Sequence, residues 1–376
     1  MSVEQDEATT TVTAADVARI AKQGVFATPT SLDPKAVNVG HALIATLQGA
    51  AEKPLLTDDL QRLTEQVRQK ATIGFPRITS ADGIRLSAHT IKLNAPEPRP
   101  VVIVPSDWTP AGWPLFEHTY LKLALRGYHV LAYTPRGLGL TADVHGGGYM
   151  DGPCTSGGTI DVAGPLDWAD GSTVIDYAQQ HFNPSRIAFF GRAYGGLISQ
   201  LVAAHDPGAR VDAVVALSTW EDLVAGHQND RGHLAAVADL TNFTGGPVKH
   251  KFDEDTQQIL ADLQAGENPD DVASWAMQRA AFSYVGQTNA RGTATFISHA
   301  GSDALFPLRQ ITKHFEQLTV PKRLSLQNGS RPAPEHAGLT VPLSDTAPTL
   351  DEAFAWLDHH LLGAANNVPT WSPVSS

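Results

Sequence analysis

The sequence predicts an α/β protein in which a mostly parallel sheet is flanked by helices. Short runs of apolar, often β-branched residues, such as 101–104, 187–190 and 211–217, lack the alternation of half-exposed strands. Runs of this kind are typical of strands buried on both faces. They alternate along the chain with segments of helical periodicity, and that order of elements builds βαβ units and a parallel sheet.

The elements follow one another in a regular order. Strands are predicted at 78–79, 84–93, 101–104, 128–133, 187–190, 211–217, 293–298 and 323–327. Helices are predicted from 57 or 58 to about 70, and at 115–126, 172–181, 197–204, 254–264, 269–281, 308–318 and 350–362. The alternation of predicted strands and helices is interrupted between 225 and 290, where the sequence pattern predicts helices only.

These changes of pattern predict four regions. Residues 1–75 form an N-terminal helical extension, 76–224 the first part of the α/β core, 225–290 a helical cap insertion, and 291–376 the second part of the core. The extension has two interpretations: its helices contact a second subunit in a homodimer, or they only cover the sheet.

Composition limits the classes of function. The chain has 376 residues with 42% hydrophobic and 18% charged residues, which is enough apolar material for a sizeable core and argues against disorder. The formal net charge is -12 and basic residues are scattered, so neither a nucleic-acid nor an acidic membrane partner is expected.

Cysteine usage and the N-terminus bear on location. Cys154 is the single cysteine, so an internal disulfide is excluded, and no Cys/His spacing resembles a metal site. The polar, acidic start lacks the pattern of a signal peptide, and no apolar run approaches the roughly 18 residues of a membrane span. We expect a soluble, cytoplasmic protein that needs no metal and no cofactor.

The most informative segment reads Gly191-Arg192-Ala193-Tyr194-Gly195. A buried strand enters it, a helix leaves it, and glycines lie two residues before and two residues after the centre. This is the pattern of a nucleophile elbow, G-x-S-x-G, in which the central residue adopts a strained turn and its neighbours must lack bulk. The central residue here is alanine, so the elbow has no hydroxyl.

The segment resembles the G-R-S-Y-G-G elbow of the cocaine-esterase and X-prolyl dipeptidyl-peptidase group of α/β-hydrolases. Residues 133–141 are similar to that group's R-G-x-G-x-S segment, and the resemblance covers roughly 78–220. It implies an α/β-hydrolase fold and serine-type acyl hydrolysis. The chain is too short for the C-terminal β-sandwich of the larger members.

The acid and the base are expected after the nucleophile in chain order. Asp303 follows the predicted strand 293–298, and His336 follows the strand 323–327. His336 would take the proton from a nucleophile and pass it to the leaving group, while Asp303 would orient the imidazole. Glu221 and Asp222, which follow the strand 211–217, are alternative candidates for the acid.

The oxyanion hole is expected to use the backbone N–H of Tyr194, the residue after the nucleophile position. A second donor should come from the loop after 101–104, where proline at 105 has no N–H and Trp108 is favoured over Asp107. Four residues are predicted to line the substrate pocket: Asp107, Trp113, Tyr149 and Trp220.

Ala193 has three explanations. It is a deliberate Ser-to-Ala change, or the chain is a natural pseudo-hydrolase that binds a small ligand, or it is a lyase, epimerase or cyclase with His336 as the base. We favour the first because elbow, acid and histidine are all present. The Ala193→Ser form would then hydrolyse a small ester, thioester or amide through an acyl-enzyme.

Overall fold

The computed structural model describes residues 47–49, 58–108, 112–139, 141–142, 149–150, 152–221, 252–303, 306–328 and 348–375. Its helices are α1 (Asp58–Arg68), α2 (Glu117–Arg126), α3 (Pro165–Phe182), α4 (Tyr194–His205), α5 (Glu254–Ala265), α6 (Pro269–Gln278), α7 (Val285–Arg291), α8 (Leu308–Gln317) and α9 (Pro348–Leu362). Its strands are β1 (Ala71–Gly74), β2 (Arg77–Thr79), β3 (Arg85–Leu93), β4 (Val101–Pro105), β5 (His129–Tyr133), β6 (Thr141–Ala142), β7 (Tyr149–Met150), β8 (Ile187–Arg192), β9 (Ala213–Leu217), β10 (Ala294–Ala300), β11 (Lys322–Gln327) and β12 (Val374–Ser375).

The main sheet has the order β1-β3-β5-β4-β8-β9-β10-β11-β12, with β2 paired to β3. The strands from β5 to β12 in this order run parallel, whereas β3 lies antiparallel to β1, β2 and β5. The predicted class, a mostly parallel sheet flanked by helices, is therefore confirmed.

The two faces of the sheet carry separate parts of the core because successive strand residues point in opposite directions. On β4, Val102 and Val104 join one cluster, which includes side chains of α1, α2 and α9. Val101 and Ile103 point the other way and join the cluster that contains α3 and α4. Burial on both faces explains why these strands read as continuous apolar runs.

Four of the segments that carry predicted site residues lie at one edge of the sheet. Parallel strands end at a common edge, which is where ligands bind in open α/β sheets. Strand β4 is followed there by residues 106–108, β8 by Ala193, β9 by residues 218–221 and β10 by residues 301–303. The topology thus explains how distant segments of sequence reach one site.

Several elements differ from the sequence-based expectation. Helix α3 begins at Pro165, seven residues before the predicted start at 172, because Asp161 accepts hydrogen bonds from the N–H groups of Leu166 (2.6 Å) and Asp167 (3.3 Å) and so caps the helix from outside it. Strands β1 and β12 were not predicted. Both are short edge strands, and β12 consists of two residues beside β11.

The region predicted as a cap is described from residue 252 onwards. Helices α5 and α6 confirm the helical pattern there. Arg279, which follows α6, donates from Nη2 to Asp161 Oδ1 and from Nε to the Asp161 carbonyl, both at 3.0 Å. Residues 222–251 and most of the N-terminal extension lie outside the described residues, so the four domain boundaries stay predictions.

Gly171 tests the close packing of α3 on α4. A Cβ at Gly171 would lie 2.2 Å from Val202 Cγ2, and a helical valine has essentially one rotamer, so the helices would have to separate. We expect Gly171→Ala to lower the free energy of unfolding by about 1–3 kcal/mol despite the better helix propensity of alanine, measured by urea denaturation.

Gly286 is the matched control, because it also lies in a helix, α7, and an added Cβ would meet nothing within 4 Å. Gly286→Ala should be neutral or stabilising by up to about 1 kcal/mol. Val202→Ala should restore part of the stability lost by Gly171→Ala. Equal effects of the two glycine substitutions would contradict this packing.

Candidate active site

The turn at Ala193 has the backbone geometry of a nucleophile elbow, although its central residue has no hydroxyl. Ala193 lies between β8 and α4 with φ 47° and ψ −112°, a conformation that residues with a side chain rarely adopt. Its N–H donates to the Leu217 carbonyl on β9 (2.8 Å), and its carbonyl accepts from the Leu197 N–H (3.0 Å). These two bonds hold the strained residue at the helix N-terminus.

The flanking glycines are required by contact as well as by conformation. A Cβ at Gly191 would lie 2.2 Å from the backbone of Gly195, and a Cβ at Gly195 would lie 2.3 Å from the carbonyl oxygen of Pro105. Neither neighbour is a flexible side chain. The first turn of α4 is therefore pressed against the ends of β8 and β4, as the elbow pattern predicts.

The two predicted oxyanion donors converge on one point. The N–H groups of Trp108 and Tyr194 both donate to the same atom, Asp107 Oδ1, at 2.7 and 3.4 Å. A single oxygen can therefore contact both donors, which is the geometry an oxyanion hole needs. In this structure the oxygen between the two N–H groups is Oδ1 of Asp107, a side chain of the protein itself.

Asp107 was predicted to bind substrate, and the structure gives its side chain a different set of partners. Asp107 is fully buried, and its second oxygen, Oδ2, pairs with Nη1 of Arg192, which is also fully buried. Arg192 Nε and Nη2 have no hydrogen-bond partner among the described residues. The carboxylate thus contacts the elbow from within the protein.

Aromatic side chains surround this edge of the sheet. The ring of Trp108 packs edge-on against Tyr194 (4.8 Å between centroids) and lies 6.2 Å from Phe252, which precedes α5. Trp220 stacks on Phe306 at 5.2 Å. All five belong to one cluster of the core. They make an apolar environment beside the elbow, as expected for a site that binds an acyl group.

Trp113 does not join this group. It is fully buried in the cluster on the opposite face of the sheet, where its indole N–H donates to Ser87 Oγ (3.1 Å) and its ring stacks on His89 at 4.8 Å. Its predicted place in the pocket wall is therefore corrected to a place in the core. Tyr149 lies in β7, and its side chain is outside the described part of the structure.

Asp303 lies at the end of β10, where the acid was predicted. It is buried, and its Oδ1 accepts from the Phe306 N–H at 3.0 Å. The neighbouring His299 contacts the Phe306 carbonyl through Nε2 at 2.8 Å. His336 lies outside the described residues, so its contact with Asp303 and with residue 193 stays a prediction.

Glu221, the alternative acid, is fully buried on the turn after β9. Its Oε1 accepts from Gln200 Nε2 (3.0 Å), and its Oε2 lies 3.7 Å from His314 Nε2. Burial raises the pKa of Glu221 to about 8 and lowers the pKa of His314 to about 3. A neutral carboxyl is a poor partner for a protonated imidazole, so this favours Asp303. Asp222 is outside the described residues.

A second polar network, which was not predicted, anchors the side chain of Tyr194. The Tyr194 hydroxyl donates to Asp167 Oδ2 (2.6 Å) and accepts from the Ala163 N–H (2.9 Å). Burial raises the pKa of the Asp167 carboxyl, and the nearby Asp161 raises it further. Because Arg279 binds Asp161, the end of α6 is connected through this network to Tyr194, the predicted oxyanion donor.

Little in the sequence marks these residues. Arg192 is unusual because it is a charged residue at the end of a buried strand. Its position predicts a buried partner of opposite charge but does not identify which residue that is. Asp161 and Asp167 read as residues of an ordinary helix start. Among the described residues, no group of three or more His, Cys, Asp or Glu side chains is arranged to hold a metal, and no helix is long and apolar enough to span a membrane.

The sheet order and the strained elbow after β8 define an α/β-hydrolase fold. Comparison with family models gives the narrower class: the X-Pro dipeptidyl-peptidase (S15) model matches residues 82–330. The chain belongs to this family and is of the S15 and cocaine-esterase hydrolase type, which confirms the resemblance seen in the elbow.

Solved structures agree on the fold. An esterase of Pyrococcus furiosus superposes with a TM-score of 0.50 at 14% identity, covering 79% of this chain and 93% of the esterase. A CocE/NonD family hydrolase of Staphylococcus aureus gives 0.57 at 16% identity, covering 82% of this chain and 57% of that hydrolase. An acylaminoacyl peptidase of Pyrococcus horikoshii gives 0.54 at 15%, with 86% and 47% covered. No curated protein matches the sequence.

The raised pKa of Glu221 predicts a dependence of stability on pH. Between about pH 4.5 and pH 8 the folded protein keeps a proton that the unfolded chain releases, so the free energy of unfolding falls as pH rises. The contribution reaches about 1.4 kcal/mol per pH unit. Glu221→Gln keeps an acceptor for Gln200 but cannot titrate, so its unfolding free energy should fall less steeply over this range.

The measurement is urea denaturation at several pH values. The control is Glu97→Gln, because Glu97 is exposed on the loop before β4 and should leave the slope unchanged. If Glu221→Gln and the parent show the same slope, a buried neutral carboxyl at 221 is excluded.

Proposed function

We propose that this protein is built for serine-type acyl hydrolysis, and that with alanine at 193 it binds its acyl substrate without turning it over. The observation that carries the proposal is the conformation of Ala193. Its φ of 47° is strained, hydrogen bonds to β9 and α4 hold it, and the absence of side chains at Gly191 and Gly195 makes room for it. A turn of this kind is expected where a nucleophile must project from the backbone.

The proposed reaction uses a hydroxyl introduced by Ala193→Ser. That oxygen attacks the carbonyl carbon, and His336 takes its proton and delivers it to the leaving group, which departs with the electrons of the broken bond. The acyl-enzyme is then hydrolysed by water, with His336 again as the base. Asp303 orients the imidazole, and the N–H groups of Tyr194 and Trp108 stabilise the oxyanion.

A small acyl compound fits the surroundings better than a protein chain. The aromatic side chains of Trp108, Trp220 and Phe306 make the edge of the sheet apolar, and Phe252 brings the cap region against Trp108. Apolar walls with few polar groups are typical of small-molecule sites. Esterases and a peptidase occur among the structures of similar fold, so the bond that is cleaved can be an ester, a thioester or an amide.

A second candidate is a ligand-binding protein without chemistry. The Asp107 carboxylate on the two oxyanion donors favours it, because an active hydrolase needs those donors for its substrate. The two functions differ in one respect. The binding protein gains nothing when a hydroxyl is placed at 193.

The test is labelling by a fluorophosphonate probe, followed by mass spectrometry of the intact chain. We expect the Ala193→Ser variant to be labelled at residue 193 and its hydrolysis of p-nitrophenyl acetate to exceed that of the parent by at least about 10²-fold. Ala193→Ser combined with His336→Ala should lose the labelling.

Ala365→Ser is the matched control, because it adds a hydroxyl at an exposed alanine far along the chain. It should remain unlabelled. An unlabelled, folded Ala193→Ser variant would contradict the proposed hydrolysis and support the ligand-binding alternative.

A further inference from the structure

We infer that Asp107 is an internal occupant of the oxyanion hole, held there by Arg192, and that it slows hydrolysis independently of the missing hydroxyl. The inference rests on the proposed function for the identity of the hole. It assigns to this chain a second residue that determines how fast the site reacts.

The first step of the argument is the position of one atom. Asp107 Oδ1 accepts from the N–H groups of both Trp108 (2.7 Å) and Tyr194 (3.4 Å). An oxyanion must lie about 3 Å from its donors, so it would have to occupy the same place. Substrate binding in the reactive position therefore requires the Asp107 side chain to leave.

The second step is charge. An oxyanion that develops beside the Asp107 carboxylate is opposed by a like charge, and the positive charge of Arg192 is largely compensated by the carboxylate with which it is already paired. Even a partly displaced Asp107 would raise the energy of the tetrahedral intermediate. A serine at 193 thus meets a hole that already holds a negative group.

The third step is what keeps Asp107 in place. Arg192 is fully buried and pairs with Asp107 Oδ2, while its Nε and Nη2 have no partner among the described residues. A buried guanidinium with unused donors is unfavourable without an anion. Arg192 therefore retains the Asp107 carboxylate. If that carboxylate were removed, Arg192 would favour the binding of another anion at the same position.

The bond from Tyr194 is the longer of the two that Asp107 Oδ1 accepts. At 3.4 Å it is longer than a typical N–H···O bond, whereas the bond to Trp108 is short. The hole is thus shaped for an oxygen that lies nearer to Tyr194 than Asp107 Oδ1 does. Removal of the Asp107 side chain should open a cationic, donor-lined site for small carboxylates or for an oxyanion.

The first experiment compares Ala193→Ser with Ala193→Ser/Asp107→Ala by the rate of fluorophosphonate labelling. We expect the double variant to react at least about tenfold faster. Because an unpaired Arg192 can destabilise the fold, the same comparison is made between Ala193→Ser/Arg192→Met and Ala193→Ser/Asp107→Ala/Arg192→Met. If Ala193→Ser reacts and the matched variant without Asp107, natively folded by circular dichroism, reacts no faster, the inference is overturned.

The second experiment does not depend on hydrolysis. In the chain that keeps Ala193, the melting temperature of the Asp107→Ala variant should be higher in sodium acetate than in sodium chloride at the same ionic strength. The reason is that acetate binds in the position vacated by the Asp107 carboxylate. The parent should show no difference between the salts. An equal response of parent and variant, or no response of either, contradicts the assignment. Failure of both serine variants to react, together with an acetate response in Asp107→Ala, would reject the proposed hydrolysis and retain the internal occupant.

Discussion

The close approach of α4 to the ends of β4 and β8 is the constraint on which the site depends. It leaves no room for a side chain at Gly191 or Gly195, forces residue 193 into a positive φ, and aims the first N–H of the helix at the edge of the sheet. The same contact brings Pro105, and with it the loop that carries Trp108, against the helix. The N–H groups of Tyr194 and Trp108, the proposed oxyanion donors, are therefore positioned by backbone packing. Alanine at 193 leaves that packing unchanged because its Cβ is shared with serine.

Two buried polar networks meet at Tyr194. On the backbone side, its N–H faces the Asp107–Arg192 pair. On the side-chain side, its hydroxyl is held by Asp167 and the Ala163 N–H, next to Asp161 and Arg279 of the cap. Buried polar groups are costly unless they are satisfied, and the hydrogen bonds of the Tyr194 hydroxyl to Asp167 and Ala163 fix that side chain in one arrangement. The residue after the nucleophile position is thereby linked both to the sheet and to the cap.

Much of the fold and part of the site could be predicted from the sequence. Buried parallel strands are continuous apolar runs, and an elbow needs its glycines at fixed spacing, so β4, β8 and the turn at Ala193 could be placed from local pattern alone. The pair Asp107–Arg192 could not, because 85 positions separate its members and only the register of β4 beside β8 brings them together. Trp113 was misplaced for a related reason: Trp108 and Trp113 are close together in sequence but pack on opposite faces of the sheet, which composition does not reveal.

The most direct test of this account is a crystal structure of the Ala193→Ser variant after reaction with diisopropyl fluorophosphate. The account predicts phosphorus bonded to Oγ of residue 193, a phosphoryl oxygen about 3 Å from the N–H groups of Tyr194 and Trp108, and the Asp107 carboxylate displaced from its place between them. An adduct whose phosphoryl oxygen lies away from these two N–H groups, with Asp107 still bound to them, would contradict the assignment of the oxyanion hole and with it the central claim.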